Sequence, residues 1–456
     1  MFKKLFAPTD MTVGTPWKSI LAFTLPMLIG NIAQQLYNTV DTIVVGKYIG
    51  DNALSAVGSA GPIINMLLVL FIGISAGATI MVSQYFGARN REALSLTIGN
   101  CITITAISCV ALIAIMLPFI RPILVALNTP PAILDDCTGY LQICLIGIAG
   151  LGYYNILSGI IRGLGDSVSA LIYLLVATAI NIVLDIVFVA YCDMGVPGVA
   201  LATVIAQIVS SICCMVKLTK MQQHYDLTVK HLKPVGSYMK TIVKLGLPSG
   251  LTQAIFSSAM IIVQSLTNCF GEQFIAANVV VMRVDGFAMM PNFSFGTALT
   301  TYAGQNVGAG KLDRVHDGVK HGLKLALSFS VTITIILVLF GKILFGFFTD
   351  TPELIELAIK MMRVLAVGYI CVSVTQILGG IMRGCGDTVT PMWISMIQTI
   401  VIRVPLAYLL AYLTKSAEYP HGAPIALFGS MLISWVLGMI MSIIAFRSGR
   451  WKRKLL

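Results

Sequence analysis

Apolar stretches long enough to cross a lipid bilayer follow one another along the whole chain, separated by short polar interruptions. A spanning helix needs about 20 mostly apolar residues. Twelve segments qualify: 17–45, 53–84, 93–117, 135–161, 168–190, 196–219, 239–269, 275–304, 318–347, 353–382, 389–413 and 423–446. Several exceed the minimum, which implies tilt or extension beyond the lipid. The strands of a membrane barrel would be short runs of alternating polarity, and the segments do not read that way. With 11% charged residues, against about 25% in soluble domains, the chain has too little polar surface to face water. The expected class is an all-α polytopic membrane protein. The start, MFKKLFAPTDM, lacks the apolar core and small-residue site of a cleavable signal.

A formal charge of +11 invites a nucleic-acid reading, but its distribution argues for topology. Lys18, Arg89, Arg91, Arg162, Lys217, Lys220, Lys230, Lys233, Lys311, Arg314 and Arg383 fall after even-numbered segments or before odd-numbered ones, and the tail RSGRWKRKLL adds five more. The opposite ends carry mainly Lys47, Arg121, Lys342 and Lys415, mixed with acids. Basic residues collect on the cytoplasmic side. Both termini are therefore expected in the cytoplasm, in a multi-pass protein of the plasma membrane. Ten cysteines include no CxxC pair and read as small apolar residues, without a cofactor. No GxxxxGK[ST] phosphate loop occurs, so ATP is not an expected partner.

The chain also repeats itself. IIRGLGDSVSA from Ile160 returns as IMRGCGDTVTP from Ile381, with Arg162 and Arg383 221 residues apart. Pro26 and Pro248 are separated by 222, and Gln84 and Gln305 by 221. Two six-helix bundles related by duplication follow, residues 1–220 and 238–456, joined by a polar linker at 221–237. Six is even, so both bundles enter the membrane in the same sense, as in other parallel repeats. The GxGD tetrapeptides raise the alternative of an intramembrane aspartyl protease, which needs two acids sharing a proton. Asp166 and Asp387 instead sit at segment ends, where Gly suits a tight turn and Asp caps the next helix.

Ionisable groups inside a bilayer are costly and usually functional. Asn31, Gln34, Asn38 and Asp41 in the first segment are spaced by three, four and three residues, one helix face. In the fifth segment Asn181 and Asp185 stand four apart. At about 1.5 Å per residue, Asp41 and Asp185 reach the outer half of the membrane, and Tyr140 and Thr203 come to a similar level. Adding 221 or 222 carries Asp41 to Ile262 or Val263, Asn181 to Ile402 or Arg403, and Asp185 to Leu406 or Ala407. The carboxylates belong to the first copy only. The second half carries Arg283, Asp285, Arg363 and Arg403, with Asp285 and Arg403 placed to pair.

PWKSILAFTLPMLIGNIAQQLYNTVDTIVVGKYIG, SQYFGARN and the paired RGLGDS and RGCGDT occur in an order that resembles the multidrug and toxic compound extrusion (MATE) transporters across essentially the whole chain. The resemblance implies two bundles around a V-shaped cavity. It also implies a secondary active antiporter that exports organic, mostly cationic compounds, drugs included, in exchange for H⁺ or Na⁺. It makes Asp41, Asn181, Asp185 and Thr203 the coupling site for a proton or Na⁺, with Tyr140 nearby. Loading that site would reposition the first helix at Pro26, a possible hinge. Weaker expectations for the cargo cavity are Gln34, Asn38, Gln264, Arg283, Asp285, Arg403, Met289, Met290 and Phe293, thioethers being easily repacked. Some MATE members carry a further acid in the seventh or tenth helix; here Gln264 and Gln376 are the polar residues offered. The same superfamily includes lipid-linked oligosaccharide flippases, whose cavities tend to be lined with many basic residues; the acids of the first half favour the antiporter.

Overall fold

The computed structural model describes residues 9–349, 351–416, 420 and 422–454, and the regular structure among them is helical. The first half contains α1 (Pro16–Tyr48), α2 (Asp51–Gly87), α3 (Arg91–Met116), a short α4 (Ile120–Ala126), α5 (Pro131–Ile146), α6 (Ile148–Gly163), α7 (Ser167–Ile186) and α8 (Gly195–Lys220). The second contains α9 (Gly236–Asn268), α10 (Glu272–Gly308), α11 (Leu312–Gly346), α12 (Pro352–Gly384), α13 (Val389–Met396), α14 (Val404–Leu413) and α15 (Ile425–Arg447). Eleven helical stretches are each long and apolar enough to span a bilayer; α5 and α6, bent by 50° at their junction, together make a twelfth. The described helices thus meet the expectation of twelve spans. Two of them contain π-helical turns, Val187–Tyr191 after α7 and Ile397–Arg403 between α13 and α14.

Local chemistry explains where the helices stop. Gly165 and Gly386, with φ of +89° and +90°, end α6 and α12 in the left-handed conformation that favours glycine. Asp166 then accepts from the Ser169 amide (2.8 Å), and Asp387 from the Thr390 amide (3.2 Å). Each carboxylate also accepts from the hydroxyl of the same residue, at 2.6 and 2.7 Å. Lys217 Nζ lies 3.2 Å from Asp166. Both GxGD aspartates are engaged in helix starts, each in its own copy.

The chain divides into two compact units, one dominated by Leu25–Gly250 and the other by Leu251–Leu456, with Met11–Thr24 counted in the second. The dividing points fall within α1 and α9, each beside an internal proline, Pro26 or Pro248. A proline there removes one intrahelical hydrogen bond, and both helices continue through it. In the first unit α2 packs on α6, and α8 packs on α5, α6 and α7. In the second, α12 is the central helix, packed on α10, α11 and α15.

The duplication is preserved to the level of single hydrogen bonds. Thr79 Oγ1 donates to the Gly159 carbonyl on α6 (3.0 Å), and Thr300 Oγ1 to the Gly380 carbonyl on α12 (3.1 Å). Such contacts need bare backbone. A Cβ at Gly163 would stand 3.0 Å from the Thr79 carbonyl, and one at Gly380 would collide with the Gly296 carbonyl. Without a hydrophobic drive between helices in lipid, this close approach of small residues supplies the packing.

The linker is fastened to α3. Arg91 holds Asp226 with two nitrogens, at 2.7 and 2.8 Å, and reaches the Gln222 and Gln223 carbonyls. Ser95 Oγ accepts from the Asp226 amide (2.8 Å), and Asn100 Oδ1 from the Val235 amide (2.7 Å). Hydrogen bonds from Arg91 hold the Asp226 carboxyl below the usual carboxylate range. Burial, with Arg91 alongside, lowers His224, favouring its neutral form.

Two outcomes test this account. Gly380→Ala must push against the Gly296 backbone and is expected to cost about 1–3 kcal/mol, read as a lower unfolding midpoint in detergent. Gly346→Ala, where nothing lies within 4 Å, should leave it unchanged or raised. Because the Asp226 carboxyl is held below its unfolded value, its tie to Arg91 is complete at neutral pH and is lost as pH falls through the folded value. Asp226→Asn should therefore speed hydrogen exchange over residues 221–228 at pH 7, and acidification should loosen the wild-type segment but not the variant.

Candidate functional site

The polar residues of the fifth and sixth spans meet inside the first unit. Asn181 and Asp185 lie one turn apart on α7, both 1% exposed, and α7 packs along α8, which carries Thr203. The Asn181 amide sits between the two others. One end lies 3.3 Å from Thr203 Oγ1. In the orientation that satisfies both ends, Nδ2 donates to Asp185 Oδ2 (3.0 Å) and Oδ1 accepts from the Thr203 amide (3.2 Å). A carboxylate, an amide and a hydroxyl therefore converge, a set of hard oxygen donors that can also pass or hold a proton. Tyr140 is buried on α5, the helix that packs on the same α8.

The first helix joins this cluster through Gln34. A narrow cleft is lined by Gln34 and Tyr37 of α1, Thr178 and Asn181 of α7, and Gln207 of α8. It leaves about 10 Å³ for water centres, close to the space of a single water. Among the described residues, Gln207 Oε1 is buried there with no hydrogen-bond donor. Asn38 and Asp41 continue the same helix, and their side chains lie outside the described residues. Tyr37, Thr178 and Gln207 were not singled out by sequence, although the spacing carried a signal. Tyr37 is three residues after Gln34, Thr178 three before Asn181, and Gln207 four after Thr203, each one helical turn away.

The second unit holds a different arrangement. The ion pair expected between Asp285 and Arg403 is not among the ion pairs of the described residues. Asp285 Oδ1 on α10 instead accepts the Tyr369 hydroxyl of α12 at 2.9 Å. Arg403 ends the π-helical turn, whose extra residue per turn changes its facing, and Nη2 points to the Met260 sulfur of α9 at 3.9 Å. Tyr369 is 84 residues from Asp285, and no sequence signal connects them. Its backbone carbonyl belongs to a buried network in which Asn292 Oδ1 accepts from Ser330 Oγ (3.0 Å) and Ser373 Oγ (2.8 Å).

The weaker cavity expectations separate. Arg283 and Phe293 are exposed, Met290 is half-buried, and Met289 is buried in the apolar core of the second unit. Gln264 is exposed and donates to Asn268 Oδ1 at 2.9 Å, along its own helix. All ten cysteines are free thiols. Among the described residues no three His, Cys, Asp or Glu side chains gather as a metal cluster.

Comparison with known proteins follows the same twofold pattern. The MatE family model matches residues 26–187 and again 248–409, one match for each copy. The probable multidrug resistance protein YoeA of Bacillus subtilis (strain 168) is 29% identical over 406 residues, 88% of each chain. The probable multidrug resistance protein NorM of Thermotoga maritima is 26% identical over 443 residues, covering 96% of this chain and 93% of that one. Among solved structures, an outward-facing multidrug resistance MATE family transporter of the MOP superfamily superposes with a TM-score of 0.89 at 24% identity, over 98% of this chain and 99% of that one. A MATE P26A mutant gives 0.90 at 24% identity, over 97% and 98%. With both halves matched and the twelve-span helical fold shared, the chain belongs to the MatE family of multidrug and toxic compound extrusion transporters.

Proposed function

We propose that the protein is a secondary antiporter of the plasma membrane, with both termini in the cytoplasm, exporting organic and mostly cationic compounds in exchange for H⁺ or Na⁺. The observation that carries the reading is the buried Asp185–Asn181–Thr203 cluster, present in one copy of a duplicated fold and replaced by Leu406 or Ala407 at the corresponding acid position. A requirement of packing alone would be expected in both copies. The basic residues on the linker side support the orientation, and the multidrug names of the relatives support the cargo.

In this mechanism Asp185 takes the coupling ion. As a proton acceptor it loses its charge, and its hydrogen bonding with Asn181 changes from accepting to shared. As a Na⁺ ligand it keeps its charge, and Asn181 Oδ1 and Thr203 Oγ1 complete the oxygen shell. Asp41 adds the second carboxylate, with Tyr140 nearby. Either event alters the contacts at the cleft where Gln34 and Tyr37 meet α7, and so biases α1, with Pro26 as its point of give. Ion and cargo then affect each other's binding reciprocally, as exchange requires.

The test is ethidium movement into proteoliposomes under an imposed pH gradient or an imposed Na⁺ gradient. Wild type should respond to one of them, and Asp185→Asn should reduce the driven rate about tenfold or more, within the usual range of coupling energies. Asn181→Ala should act in the same direction. Full gradient-driven transport by Asp185→Asn would move the coupling away from this cluster.

A further inference from the structure

We propose that the last residues of the chain form a recognition surface for anionic phospholipids, a set of basic side chains held at the headgroup layer by a clip at Trp451. The surface requires only that the chain spans a bilayer, and it goes beyond the antiport reading. RSGRWKRKLL begins at Arg447, the last residue of α15 and the end of a candidate span. Arg447, Arg450, Lys452, Arg453 and Lys454 put five positive charges into eight residues, and no acidic side chain occurs from Tyr419 to Leu456.

The tail does not run on into water. The Ser448 amide closes α15 by donating to the Ile444 carbonyl (3.0 Å), and Gly449 follows with φ of +67°. A left-handed glycine at this position turns the chain away from the helix axis, and Arg450–Lys454 forms a 3₁₀ turn. The turn brings Trp451 back onto the helix it has just left. Its ring stacks on Phe446, with centroids 5.1 Å apart and planes 15° from parallel, and its Nε1–H donates to the Phe446 carbonyl at 2.9 Å. His316, near the start of α11, sets its ring against both, 6.0 Å from Trp451 and 6.4 Å from Phe446. A tryptophan that anchors a protein in the membrane keeps its ring at the headgroup level. Trp451 is instead 1% exposed, held by protein, while Arg447, Arg450 and Lys452 are exposed around it.

Folding back decides whether these charges can act together. The field of an exposed charge is screened within about 8 Å at physiological salt. A tail running straight out at about 3.4 Å per residue would carry Lys454 about 24 Å past Arg447, beyond the reach of the headgroups. Clipped, the tail keeps its charges beside the end of the span, where phospholipid phosphates are the anions always present. Basic clusters directly after a membrane helix attract anionic lipids. Across the clip, α11 sets Asp313 and Asp317 against Arg314 and Lys320, so it does not neutralise the tail. Membrane orientation depends on the number of basic residues and is indifferent to whether the tail is folded. A surface for headgroups depends on the clip.

Native mass spectrometry of the purified full-length protein tests this, starting from detergent micelles that hold phosphatidylglycerol and phosphatidylcholine of identical chains in equal amounts. Wild type should retain phosphatidylglycerol over phosphatidylcholine by at least about fivefold, the effect of one well-placed basic residue. Arg450→Gln together with Lys452→Gln should lower that ratio by at least about twofold. Trp451→Ala, which keeps every charge and releases the tail, should lower it as much, and Trp451→Phe, which keeps a ring to stack, should retain most of it. Unfolding midpoints identify any variant that fails to fold; if Trp451→Ala is one, the double glutamine variant carries the comparison. Equal retention of the two lipids by wild type, or a ratio untouched in the folded double variant or in folded Trp451→Ala, would overturn the surface. Wild type that binds heparin but shows no preference between the lipids would assign the charges to a soluble polyanion and overturn the lipid reading.

Discussion

Backbone amides and carbonyls inside a bilayer have no water to turn to, and each must be satisfied within the protein. That constraint makes the spans helical and makes their ends the places where chemistry concentrates. It also explains the contacts that hold the helices together. Thr79 and Thr300 send hydroxyls to the carbonyls of Gly159 and Gly380, and the absence of side chains at those glycines lets two backbones approach. The same device at the same spacing in both copies is what a duplicated structural element should show. The turns after α6 and α12, with a left-handed glycine and a capping aspartate in each, belong to the same category.

Against that shared frame, the differences between the copies stand out. Where the first unit buries Asn181, Asp185 and Thr203 in one hydrogen-bonded cluster, the second places Arg403 against Met260 and leaves Asp285 with Tyr369. Packing needs would preserve such positions in both copies, as they preserve the glycines. Divergence at buried polar positions, where each change carries a large solvation cost, points to demands on these positions other than packing.

The prolines connect frame and function. Pro26 and Pro248 lie beside the points where α1 and α9 change from one compact unit to the other. Each removes a hydrogen bond from a helix that otherwise continues. The polar stripe that begins at Asn31 lies just beyond Pro26 on the same helix, so a change of contacts at Gln34 is close to the point where that helix yields most easily.

Much of this was legible in the residues alone. Apolar length alone specified twelve membrane helices, since lipid admits few alternatives, and the spacing of RGLGDS and RGCGDT revealed the duplication. Three- and four-residue steps put Gln34 on one face of α1 and Asn181 with Asp185 on one face of α7. Helical periodicity is a local property, so a sequence displays it directly. What only the tertiary structure decided were the partners that lie far apart in the chain: Tyr369 for Asp285, Met260 for Arg403, and Gln207 beside the Gln34 cleft. The Asp285–Arg403 pair was a reasonable expectation from depth, but depth fixes height along a helix and leaves its rotation open. A π-helical turn changes that rotation, and it is settled by packing among helices rather than by the residues of any one of them.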